Sequence, residues 1–175
     1  MKETFKYIIL SLTITVLASS FVQNAEYEAK LAYVDRFTKF ITWPNSNNDL
    51  GEQFKIGIID KNPFGEAIKI LIKTKKIKGK SISYEIIDNL NSIKNVDLLF
   101  IPEDHSLPID SILSHSQSHG VMIISEKKGY IDKGIMINLQ LKYGELKFEI
   151  NKKVIDNQGF TVHSKLYQVA SKVVK

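Results

Sequence analysis

The histidines are the side chains best suited to chemistry in this 175-residue chain, which has four of them and no cysteine. His115 and His119, in "HSQSHG", are four residues apart, a spacing that puts both imidazoles on one helix face. His105 precedes them, with Asp104 and Asp110 nearby. A zinc site needs three or four ligands held in fixed tetrahedral geometry. A short helix ending at Gly120 does not supply that, so the pair reads as a solvated helix end where imidazole suits the dipole, and no metal is expected. His163, outside the last expected helix, reads as a surface or packing residue. Nucleophilic chemistry has no better footing: there is no Gly-x-Ser-x-Gly, no thiol and no glycine-rich phosphate loop, and "NPFG" and "GEL" are turn sequences. Glu145 and Glu149 share a strand face by parity, but an acid–base pair needs a sheltered cleft, and Lys147 between them points to a solvated face. "VDLLFIP" looks like a receiver strand, yet five residues after Asp97 stands Pro102, which cannot accept a phosphoryl group. Neither an enzyme nor a cofactor is expected.

Two features are left for binding. Trp43, the only tryptophan, closes "RFTKFITWP" just before Pro44; its indole either packs on the core or edges a ligand pocket or partner surface. "KILIKTKKIKGK", Lys69 to Lys80, is the strongest charge feature. It lacks the recognition motif or stacking aromatics that nucleic-acid binding uses, so no nucleic acid is expected. It reads as a solvated helix end and loop, or as a contact for an anionic membrane surface or an acidic partner patch.

The elements that must position these residues begin after an export signal. Lys2 and Lys6 precede the apolar run Tyr7–Leu17, followed by Ala18, Ser19 and Ser20, with a further candidate cut after Ala25. That order is a secretory signal peptide, expected over residues 1–25, with an uncleaved anchor or a buried helix as the alternative. The run is short for a membrane span and no other segment is long and apolar enough, so the cleaved protein is not expected to be integral to a membrane. Residues 26–175 then form one domain, large enough for a core without disulfide staples. All but one of the five excess positive charges lie in it.

Within the domain, apolar residues at helical spacing over Glu28–Trp43 predict a first helix, ended by Pro44. "FKIGIID" predicts a strand, then Asn62 and Pro63 the cap and first position of a second helix. "KSISYEIID", "VDLLFIP" and "GVMIIS" predict further strands, the last two buried on both faces, with a brief helix at Ile109–Leu113 between them. "GIMINLQLKYGELKFEIN" predicts an antiparallel hairpin about Tyr143-Gly144. Asn151 should cap a short helix stopping at Gly159, and a final helix should run from Ser164 to Val174. The expected fold is a single α/β domain: a mixed, mostly parallel sheet flanked by helices, with a C-terminal hairpin and terminal helix. In such sheets ligands favour the crevice at the strands' carboxyl ends, which here would gather Asp60, Asn62, Glu103, Asp104, Ser125 and Glu126.

"YVDRFTKFITWP", "IIDKNPFG", "VDLLFIP", "GIMINL", "FEIN" and "HSKLYQVA" occur in the order and spacing of the YfiR family, which the chain resembles from about Lys30 to Val173. The resemblance implies a periplasmic, non-catalytic regulator that binds the extracytoplasmic sensor domain of an inner-membrane signalling protein, a diguanylate cyclase or histidine kinase, and represses or tunes it. It implies a link to cyclic-di-GMP signalling and is compatible with a homodimer, while the strand-end crevice is the expected place for any small-molecule effector. The rival expectation is a periplasmic small-molecule binding protein. The partner or ligand surface is assigned to the family-motif residues Trp43, Pro44, Asn62, Pro63, Phe64 and Gly65. The motif positions Asn138, Glu149 and Asn151 are expected to be structural. Two departures stand out: Asp35-Arg36 replaces the family's aromatic-Asn pair, and the cysteine pairs of the best-known members are absent, which excludes thiol-based control.

Overall fold

The computed structural model describes residues 24–44, 52–117 and 119–175. The apolar run Tyr7–Leu17 and the small residues after it lie outside them. No described helix is long and apolar enough to cross a membrane.

Helix α1 covers residues 24–40. It buries Leu31, Val34 and Phe37 at three-residue steps, the stripe of an amphipathic helix. It stops three residues short of Trp43. Ile41 and Thr42 are β-branched and Pro44 lies close behind, so the chain leaves the α region early. It forms β1 (Ile41–Thr42), paired antiparallel with β8 (Thr161–Val162).

The main sheet has seven strands in the order β3-β2-β4-β5-β6-β7-β9. They are β2 (Gln53–Ile59), β3 (Ser81–Ile87), β4 (Leu98–Ile101), β5 (Met122–Ser125), β6 (Ile137–Lys142), β7 (Glu145–Asn151) and β9 (Lys172–Val174). All neighbours are parallel except the β6–β7 hairpin. The hairpin turns at Tyr143 and Gly144, both with positive φ (54° and 77°), as a two-residue turn of the twist-matched kind requires.

Strands β4 and β5 are buried along their whole length, and alternation sends their side chains into two separate cores. Leu98, Phe100, Met122 and Ile124 join the layer under α1 and α2 (Ala67–Thr74), while Leu99, Ile101 and Ile123 join the layer under α3 (Ile109–Gln117). Gly57 faces the second layer. A Cβ there would meet Ile87, Val96 and Leu99 side chains, each at 3.1 Å, so a larger residue would have to push three packed side chains aside.

Two further segments depart from the sequence expectation. Asn62 caps no helix directly: its side chain accepts from the Phe64 N–H at 2.9 Å and donates to the Gly65 carbonyl. This side-chain-closed turn precedes α2 by several residues. At the other end, α4 (Lys152–Asn157) is capped by Asn151 as expected, but α5 (Ser164–Val169) stops well before Val174. The open edge of β7 offers unpaired backbone groups, and the β-branched pair Val173-Val174 takes them as β9. Ser171 secures the junction with N–H and Oγ bonds to the Phe148 carbonyl at 2.8 and 2.7 Å.

Candidate functional site

Strand β2 pairs with β3 on one side and β4 on the other, so the connections diverge at the carboxyl ends of β2 and β4, the place where open α/β sheets form a crevice. Asp60, with φ of 59°, ends β2 there and accepts from the Ser106 N–H at 2.5 Å and its Oγ at 2.9 Å. That ties the end of β2 to the loop after β4. Glu126 follows β5 and is buried; it accepts from Tyr27 Oη at 3.0 Å, Lys30 Nζ at 2.5 Å and the Glu103 N–H at 2.9 Å. Lys30 also pairs with Glu26 at 2.5 Å. Burial pulls the Lys30 pKa down, but its hydrogen bonds to Glu126 and Glu26 outweigh that and hold it above the ordinary lysine value. Burial also raises the Tyr27 phenol, with the Glu126 charge adding to it. A crevice of about 290 Å³ lies against this cluster, bounded further by Lys128 and the outer residues of β6. Ser125 is buried, its Oγ accepting from the Lys127 N–H, while Asp104 is exposed. The fold thus joins Glu103 to Glu126 and leaves Asp60 in a separate bridge.

The motif residues separate as well. Phe64 is core, with its ring 4.7 Å from Phe100 and 6.0 Å from Tyr27, at the carboxyl-end pole. Trp43 is at the amino-end pole, 9% exposed. Its ring meets Phe54 and Phe160 edge-on, and its Nε1–H donates to the Asp97 carbonyl at 3.0 Å. Asn151 caps α4 and donates to the Ile131 carbonyl. Glu149 accepts from Gln140 and Lys142. Asn138 lies between Ser125 and Glu149 in the register, fully buried, with neither amide atom partnered among the described residues.

His105 is half-buried, with Nδ1 2.8 Å from the Leu107 carbonyl and Nε2 2.9 Å from Tyr130 Oη. A carbonyl only accepts, so Nδ1 carries the proton and neutral Nε2 accepts from the phenol. Burial lowers the pKa; nearby Lys127 adds to the fall, against the Leu107 bond and the charges of Asp60 and Asp104. With the folded pKa depressed, the unfolded chain takes the proton first as pH drops below 6.5. Stability is therefore expected to decline with acidification below that value. A His105→Gln variant, compared by urea melts across the same pH range, should lack that component of the decline. His119 Nδ1 lies 2.9 Å from the His115 carbonyl, and no group of three or more metal-ligating side chains occurs among the described residues.

Another cleft lies among α1, β7 and α5. It holds about 430 Å³. Its floor is aromatic: Tyr33, Phe37 and Phe148 form a mutual cluster with centroids 5.0–6.1 Å apart, and Tyr33 Oη donates to the Leu146 carbonyl at 3.2 Å. Its rim is cationic, with Arg36 stacked 5.6 Å from the Tyr33 ring, joined by Lys147 and Lys165. Sequence reading missed this site. Tyr33, Arg36 and Phe40 stand at helical spacing, but nothing local says that β7 and α5 complete the walls.

The YfiR/HmsC-like family matches residues 27–171. No curated relative matches the sequence. Among solved structures, an ABC domain from Streptococcus pneumonia, crystallised in complex with L-Trp, is 14% identical with a TM-score of 0.52, over 69% of this chain and 55% of that one. A conserved domain protein from Vibrio cholerae O1 biovar El Tor is 10% identical with a TM-score of 0.56, over 84% of this chain and 60% of that one. The chain thus spans less than two thirds of either, and at these identities the likeness is one of fold.

Proposed function

Because the chain belongs to the YfiR/HmsC-like family, a regulatory family, we propose that it is an exported, non-catalytic regulator of an inner-membrane signalling protein. It binds the extracytoplasmic sensor domain of a diguanylate cyclase or histidine kinase. The family match across nearly the whole domain is the observation that supports this reading. Regulation of this kind requires the bound protein to favour one state of its partner over the other, by a difference in affinity for the two. The α1–β7–α5 cleft suits the contact: aromatic floor, cationic rim, and Val169 70% exposed at its edge.

The test is retention of a membrane sensor protein from solubilised native membranes by the immobilised exported chain, beside Arg36→Glu. Arg36 is exposed, so the variant should fold as the wild type does. The reading expects a sensor protein retained by wild type, retention weakened by at least about tenfold in the variant, and an altered cyclic-di-GMP level or kinase output when the gene is deleted. No retained sensor and unchanged output would sink it. A second reading has its own observation. A cleft of about 430 Å³ with an apolar floor and a few polar groups is also the form of a small-molecule site, here for an anionic ligand with an apolar or aromatic body. A metabolite that raises the melting temperature with no partner present, and fails to do so with Arg36→Glu, would favour it.

A further inference from the structure

Between Lys69 and Lys80 there are six lysines and no acidic residue. Helix α2 ends at Thr74, and the chain then makes a tight turn closed by an Ile77–Lys80 bridge, with Lys78 and Gly79 at positive φ. Lys73, Lys75, Lys76 and Lys78 are all exposed. The first three have no carboxylate partner among the described residues; Lys69, a turn earlier, is paired with Glu66. The dipole at the end of α2 accounts for Lys73, but not for the lysines beyond the helix. Ile70, 61% exposed, stands at the rim of the patch. Toward α1 the surface changes sign at Glu28 and Asp35.

Topology sets where this surface points. The α2 crossover starts from the carboxyl end of β2 and returns to the amino end of β3, since the two strands are parallel. The lysine turn therefore lies at the amino-end pole, with Trp43: Lys78 Nζ is 5.7 Å from that indole ring. The Glu26–Lys30–Glu126 crevice lies at the opposite pole.

We propose that the turn from Lys73 to Lys80, with Ile70 beside it, docks the protein on an anionic phospholipid bilayer, amino-end pole toward the headgroups. The composition favours a lipid surface over a shaped partner. Lysines are mobile point charges that respond to a diffuse field, whereas bidentate recognition uses arginine, and this stretch has none. Trp43 is too buried to stack on a nucleobase. An exposed isoleucine beside lysines fits the boundary of headgroups and acyl chains. Near an anionic leaflet each lysine contributes about fivefold to partitioning, so four contribute on the order of several hundredfold, weak enough to be reversible.

The test is co-sedimentation of the exported chain with phosphatidylglycerol–phosphatidylcholine vesicles, against phosphatidylcholine alone, at low and physiological salt. These vesicles carry no protein, so the outcome is independent of the regulator reading above. Wild type should bind only the anionic vesicles, more weakly as salt rises. K73E/K75E/K76E should keep its circular dichroism and melting temperature and lose at least about a hundredfold in binding. K61E/K94E/K128E makes the same change in net charge at exposed lysines elsewhere, and should keep most of the binding. Equal binding to both vesicles, equal loss in the two triple variants, or no vesicle binding would each overturn the proposal. The last of these would do so even if an acidic protein domain were held through the same lysines.

Discussion

Lys30→Met lowers the unfolding free energy by about 3–5 kcal/mol, the cost of leaving one member of a buried ion pair without the other. Melting temperature should fall by about 10 °C for a domain of this size. The side chains of Lys30 and Glu126 are 7% and 3% exposed, so water does little to screen or rescue the orphaned carboxylate. Among the described residues, Tyr27 and the Glu103 N–H would remain as its donors, with Glu26 close by. Pairing the change with Glu126→Met should restore much of the loss, because two apolar groups of similar volume need no partners. A double variant no more stable than Lys30→Met would show that the cluster acts through packing rather than charge. The same cluster sets an alkaline limit. Lys30 and Tyr27 both hold their protons more tightly when folded. The unfolded chain therefore releases protons first above about pH 10, and stability falls as pH rises from there. Lys30→Met should lose the lysine share of that slope.

Trp43→Ala should cost about 3–5 kcal/mol, since it removes a buried indole and leaves a cavity between Phe54 and Phe160. Trp43→Phe keeps most of the packing and loses the hydrogen bond to the Asp97 carbonyl; it should cost about 1–3 kcal/mol. Chemical denaturation of both variants checks the ordering, and an alanine variant as stable as wild type would contradict the core placement. Any use of Trp43→Ala to map a partner surface is confounded by this loss of stability, whereas Arg36 and the lysines of the α2–β3 turn can be changed at the surface.

Trp43 and Phe64 show why motif reading found the family but did not gather its motif residues in one place. Both are family-motif aromatics near helix boundaries, and sequence treats them alike. In the fold they occupy opposite poles of one core, because β2 runs between them through the sheet. Asp60, Glu103 and Glu126 were legible as strand-end residues, since continuous apolar runs mark the parallel strands that must carry them. That Glu126 would be sealed by Lys30 was not, because the partners are 96 residues apart and only the seating of α1 on the sheet brings them together.

Local rules were enough for much of the architecture. Periodicity identified α1, β2 to β5 and the hairpin, Asn151 announced α4, and the spread of motifs pointed to the family that matches residues 27–171. The tertiary structure decided the remainder. Val173-Val174 became a strand because β7 had an open edge to fill. The α1–β7–α5 cleft exists because three segments distant in sequence meet on one face, and the lysine run gained a direction because α2 is a crossover between parallel strands. Sequence by itself determined which surfaces of each element are apolar, aromatic or charged, since those follow from spacing along one chain. Which of those surfaces meet, and what remains open between them, depends on long-range packing.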